Sequence, residues 1–274
     1  MKFAFSNLAC PDWSVEETVE AGVRLGYDGL ELRLLGGDVI DPVANAEKIG
    51  RAARVARDAG LPICAFDSSC RFNLADPEQR ACQVEELLAW IKLAGRFGVA
   101  VVRVFGGALE AGDSASDGEA STRVVESLRR AAPDAEREGV TIALETHDAF
   151  SSARRVAAVL AGVPSPGVGA LWDSHHPYRM GESTEEVMEL LGPRIVHAHA
   201  KDARRAAPKG SDWQLVLLGK GEVPVRQQLD ALRRAGYHGY VSIEWEKKWH
   251  PEIADPEVAL PQGSAWLREH GETR

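Results

Sequence analysis

VGALWD (168–173) is a short apolar run that closes on a carboxylate, and TIALE (141–145), IVHAH (195–199) and YVSIE (240–244) have the same form. Their last residues, Asp173, Glu145, His199 and Glu244, stand 28, 26 and 45 positions apart when taken in chain order. A strand with its following helix occupies about 30 residues, so this spacing suits successive units of a (β/α)8 barrel. In such a barrel, polar residues at the carboxyl ends of the strands meet at one rim. Side chains alternate along a strand. Ala143 therefore shares the inward face of Glu145, Leu171 that of Asp173, His197 that of His199, and Ser242 that of Glu244, while Leu144 and Trp172 face the helices.

Three carboxylates and an imidazole meeting at one rim would make a ligand set for one divalent ion. Clustered carboxylates repel, and a cation is the usual means of holding them together. The oxygen-rich set favours Mn²⁺, Mg²⁺ or Co²⁺, with Zn²⁺ as a further option, since structural Zn²⁺ prefers Cys and His.

Strand and helix signals alternate along the whole chain. Strands are expected at 2–6, 28–33, 61–66, 100–105, 141–145, 168–172, 195–199 and 240–244, with helices near 14–25, 42–59, 77–97, 119–138, 151–161, 183–191, 223–235 and 256–270. That is the barrel count, within a single domain spanning 1–274. Ser14 with Glu17 and Ser183 with Glu186 have capping-box spacing. Asp41-Pro42, Asp76-Pro77 and Asp255-Pro256 each place an N-cap Asp before a first-turn Pro. Two long connections, 106–118 and 200–222, should rise above the rim as candidate lids. A doubly wound sheet is disfavoured because Ser6–Cys10 lacks the glycine-rich phosphate turn, and no Walker-type loop follows any strand.

Composition narrows the function. With 41 acidic against 32 basic residues the formal net charge is −9, which disfavours a nucleic-acid partner. The one basic cluster of note is Lys201, Arg204, Arg205 and Lys209. No membrane span or signal peptide is evident, so a cytoplasmic protein is expected. Cys10, Cys64, Cys70 and Cys82 show no CxxC spacing and read as free thiols.

The segments IALETHD (142–148), LWDSHHPYR (171–179), HAHAKD (197–202), LGKGEVPV (218–225) and GYVSIEWEKKW (239–249) together resemble the xylose-isomerase-like TIM barrel superfamily, nearest to its ketose 3-epimerases, hydroxypyruvate isomerases and inositol-catabolism isomerases. The resemblance implies that Glu145, Asp173, His199 and Glu244 hold the metal and that Glu145 and Glu244 form the acid/base pair. It matches His176 and Arg205 to substrate-binding positions, with Arg204 as the substitute for Arg205. Lys201, Arg103 and His147 are further substrate-binding candidates, and Glu31, like Arg103, closes a strand and either contacts substrate or forms an internal ion pair. Ser151 stands where the epimerases carry a second Glu, while His147 is closer to the inositol branch.

The implied chemistry is isomerisation or epimerisation of a ketose, inosose or related sugar, with proton abstraction through a metal-stabilised enediolate. Its alternative is an inosose- or dehydroshikimate-type dehydratase. An apurinic endonuclease-type phosphodiesterase is remote, because it would need more His and Asp ligands and a basic groove. The expected partner is a small sugar- or polyol-derived molecule. A homo-oligomer remains open.

Overall fold

A computed structural model of the chain describes residues 1–109, 117–206 and 212–271. Eight parallel strands close into a barrel: β1 (Lys2–Ser6), β2 (Gly29–Leu32), β3 (Ile63–Arg71), β4 (Val101–Phe105), β5 (Thr141–Glu145), β6 (Val168–Asp173), β7 (Ile195–Ala200) and β8 (Tyr240–Ile243). Each pairs with its sequence neighbours, and β8 returns to β1. The main helices are α1 (Val15–Arg24), α2 (Ala46–Asp58), α3 (Pro77–Phe97), α4 (Asp117–Glu138), α5 (Ala153–Ala161), α6 (Thr184–Leu191), α7 (Val225–Arg234) and α8 (Pro256–Gly271). No helix among the described residues is long and apolar enough to cross a membrane.

The pattern of alternation sorts the apolar residues into two clusters. Ala65, Val101, Ala143 and Leu171 form a small one of their own. Leu144 and Trp172 join the large cluster that the strands share with the surrounding helices. The inward and outward faces therefore follow the two-residue period of the strands.

Local chemistry sets most element boundaries. Ser14 and Glu17 form a reciprocal capping box at α1, and Ser183 and Glu186 form another at α6. Asp76 caps α3 ahead of Pro77. The expected start at Asp41-Pro42 is displaced, and α2 begins at Ala46. The Asp41 carboxylate instead accepts from the N–H groups of Val43 and Ala44, while Asn45 Oδ1 accepts from Asp41 N–H. Asp41 and Asn45 together satisfy a turn rather than a helix start, because Asx side chains serve either role.

Of the two long connections, residues 110–116 and 207–211 lie outside the described set, and Lys209 with them. The described part of the second is an antiparallel hairpin, Asp202–Arg205 against Trp213–Val216. It is anchored by Asp202, whose carboxylate accepts N–H bonds from Gly219, Gly221 and Val223 at 2.9, 2.9 and 3.2 Å. A Cβ at Gly221 would collide with that carboxylate and with the Ala203 carbonyl. HAHAKD and LGKGEVPV are thus two halves of one tertiary lock, and glycine at 221 is required by close approach.

Candidate active site

Register brings the strand-end residues side by side. Asp173 is paired with His199 across β6 and β7, and Ser242 of β8 is paired with His199 on the other side. The donor atoms of Glu145, Asp173, His199 and Glu244 all lie within 4.8 Å of one another, and all four residues are buried. That distance lets one ion touch all four groups.

The imidazole of His199 is held at both nitrogens. Nε2 is 2.7 Å from Glu31 Oε1, and Nδ1 is 3.1 Å from Glu145 Oε1 and 3.3 Å from Glu244 Oε2. Glu31 holds His197 as well, with His197 Nε2 at 3.1 Å from its second oxygen. With Nε2–H donated to Glu31, Nδ1 is left to face the carboxylates, which is how an outer carboxylate sets the tautomer of a ligating histidine. Burial opposes charge on Glu31, but His199 and His197 overcome it and hold the carboxyl well below its ordinary range. Asp67 is the reverse case. Burial and then the charge of Glu31 push its carboxyl well above the ordinary range.

Arg103 closes the inner side of the cluster. It is buried, its Nη1 donates to Glu145 Oε2 at 3.1 Å, its Nε is 3.8 Å from Asp67 Oδ1, and its guanidinium lies over the Phe105 ring. Of the two readings open for Glu31 and Arg103, the internal ion pair describes both positions.

Lys201 lies between the cluster and open space. Its Nζ is 3.1 Å from Asp173 Oδ2, 2.5 Å from Glu246 Oε1 and in ion-pair contact with Glu244 Oε2. Burial would lower the ammonium's pKa, yet Asp173, Glu244 and Glu246 raise it well above the ordinary value. The same contact acts on Glu244, where burial is outweighed by Lys201 and His199 and the carboxyl sits well below its ordinary range. His176 Nε2 stands 4.0 Å from Asp173 Oδ2, and burial holds its imidazole neutral.

A cavity of about 750 Å³ adjoins this layer, with Lys201, His176, His175, Arg179, Arg204 and Trp213 in its wall. Arg204, not Arg205, faces it. Arg205 is exposed, with its guanidinium 5.3 Å from the centre of the Trp213 ring. His147 is packed edge-on to His176 at 4.6 Å between ring centres, and its Nδ1 is 3.1 Å from Asp148 Oδ1. Ser151 is buried and accepts from Arg179 Nη2 at 3.1 Å. Among the aromatic residues, Trp213 lines the cavity, and Phe66 packs against Trp90 in the core.

Two contributors were missed at sequence level. His175 and Arg179 lie inside the quoted LWDSHHPYR segment, just beyond the end of β6, where one helical turn (His176–Arg179) aims them at the cavity. Glu246, which the strand alternation places on the inward face of Glu244, also lines the cavity.

The family model for the xylose isomerase-like TIM barrel matches residues 19–270. The chain belongs to that family. It is 25% identical over 240 residues to a fructoselysine 3-epimerase of Shigella flexneri, a match covering 84% of each chain. D-psicose 3-epimerase of Clostridium cellulolyticum H10, solved with D-tagatose, superposes with a TM-score of 0.81 over 100% of both chains at 17% identity. The IOLI protein with a bound zinc atom superposes with a TM-score of 0.79 at 20% identity, covering 99% of this chain and 98% of the other.

Proposed function

We propose that the protein is a divalent-metal-dependent isomerase or epimerase of a ketose, inosose or related sugar. The observation that carries this reading is the convergence of Glu145, Asp173, His199 and Glu244 beside a cavity of substrate size. The donor set suits a hard divalent ion. Asp173 Oδ2 and Glu244 Oε2 are buried with no conventional hydrogen bond; Lys201 is in ion-pair contact with both, and His199 Nδ1 lies 3.3 Å from the second. Mn²⁺, Mg²⁺ or Co²⁺ is the expected occupant, with Zn²⁺ as the alternative.

When bound, such an ion supplies Lewis acidity that stabilises negative charge developing on the substrate's oxygens. Glu145 and Glu244 remove and return the proton on the carbon next to the carbonyl, one from each side of the substrate. Arg103 holds Glu145 through Oε2, so the carboxylate is oriented before substrate arrives. Lys201, His176 and Arg204 hold substrate oxygens, and His147 positions His176 through the edge-on contact. Arg103 acts from behind, on Glu145, rather than on substrate.

A second reading is loss of water after the same proton abstraction. One feature of the site favours it. Burial opposes charge on His147, but Asp148 and Glu145 raise its pKa, which suits a proton donor to a leaving hydroxyl.

The relatives support the first reading through their named activities, fructoselysine and psicose 3-epimerisation. The test is metal content followed by incubation with ketoses and inososes in D₂O. One divalent ion per chain and solvent deuterium at the carbon next to the carbonyl are expected, with product mass unchanged apart from the label. A product lighter by one water would establish the dehydratase. No metal after reconstitution would end both.

A further inference from the structure

The cavity wall carries three fixed cations, Lys201, Arg179 and Arg204, and three carboxylates, Asp212, Glu246 and Glu252, but they do not pair off one to one. On the acidic side, Glu246 is matched by Lys201 and lies 3.4 Å from His250, and Glu252 is 3.3 Å from His250. Lys201 is matched by three carboxylates. The two guanidiniums differ. Arg179 meets the neutral hydroxyl of Ser151, and Arg204 lies across the hairpin from the neutral Gln214. Asp148 feels the field of Arg179 but pairs with His147. Among the described residues, neither Arg179 nor Arg204 has a carboxylate within ion-pair distance. A carboxylate at position 151 would neutralise Arg179, and the serine there leaves its charge available. Beside them His175, which is buried, has an Nε2 with no hydrogen-bond partner and a ring packed on Trp213 at 5.0 Å.

In a protein of net charge −9, two uncompensated cations facing one cavity stand out. Long-range electrostatics repels anions, so only local donors would attract one. We propose that the substrate carries an anionic group, a carboxylate or a phosphate, remote from its reacting carbon, and that Arg179 and Arg204 bind it at the outer part of the cavity. The inference rests on the sugar isomerase reading and narrows its substrate class. Guanidinium groups suit it because their paired N–H donors match carboxylate and phosphate oxygens. A cavity of about 750 Å³ leaves room beyond the sugar for such a substituent.

Titration calorimetry of the full chain at low ionic strength, with and without added Mn²⁺, provides the test. The probes are D-fructose, D-fructose 6-phosphate and D-fructuronate, which share a skeleton and differ at the far carbon. At least one anionic probe should bind about tenfold tighter than D-fructose or better, with the advantage shrinking as salt is added. The stronger of the two identifies phosphate or carboxylate. Arg204→Gln, an exposed position that leaves the fold intact, and Arg179→Gln should each cut the ratio several-fold while metal content stays at the parent value. Equal affinity for all three, binding of neither anion, or a preference that survives both substitutions overturns the proposal. Failure of the isomerase reading looks different: the anion preference stands, but no probe gains deuterium from D₂O.

Discussion

The strands of the first half of the barrel and those of the second half both carry buried polar residues, yet these residues meet different company. In β2, β3 and β4, Glu31, Asp67 and Arg103 pair with buried side chains: Glu31 with both histidines, Arg103 with both Glu145 and Asp67. In β5, β6 and β7, and just after β8, Glu145, Asp173, His199 and Glu244 touch one another, and Lys201 connects them to the cavity. The first half orients and the second half presents. A buried charge that orients another must itself be paired. The chain meets this by giving Glu145 and His199 partners on the supporting side, Arg103 and Glu31, by setting Glu244 against His199 and Lys201, and by giving Asp173 two backbone N–H bonds, from His175 and His176.

Substitutions test how sharp this division is. The largest effect is expected in the presenting half. Glu244→Gln should lower kcat/KM about 10²–10⁴-fold on whichever ketose or inosose is turned over. A modest loss would shift proton transfer to another group. Next comes Lys201→Met, which removes the one cation from three carboxylates. Urea unfolding of the metal-stripped protein should lose about 3–5 kcal/mol, and added Mn²⁺ should restore more stability in the variant than in the parent. Equal responses to Mn²⁺ would mean that Lys201 and the ion do not share Asp173 and Glu244.

In the supporting half, Glu31→Gln should weaken metal binding about 10–100-fold by calorimetry, because His199 loses the charge that sets its tautomer. Unchanged affinity would dissolve the division, since Glu31 would then be an ordinary core group. The smallest effect belongs to a site remote from both halves. Ser14→Ala at the α1 capping box should cost about 1 kcal/mol of stability and leave metal content unaltered.

Much of this was legible before any coordinates. The two-residue period placed Ala143 and Leu171 inside and Trp172 outside, and the spacing of the four strand-end residues pointed to the barrel that the chain forms. The family resemblance read from five short segments agrees with the family match over residues 19–270. The start of α2 was misread because Asp-Pro serves a turn as readily as a helix. Glu31 and Arg103 could not be told apart from substrate-facing residues, because a strand end reveals a direction and not a partner.

The sequence by itself determined the order of strands and helices, their inward faces and the set of four residues that share a rim, because these depend on periodicity and on local caps. Only the tertiary structure decided which polar residues support and which present, that Arg204 rather than Arg205 faces the cavity, and that Arg179 and Arg204 lack acidic partners. Those outcomes depend on pairs far apart in the chain, such as Glu31 with His199 and Ser151 with Arg179, and on which oxygens each charge has already found. Electrostatic pairing is a property of distance in space, which spacing along a chain does not encode.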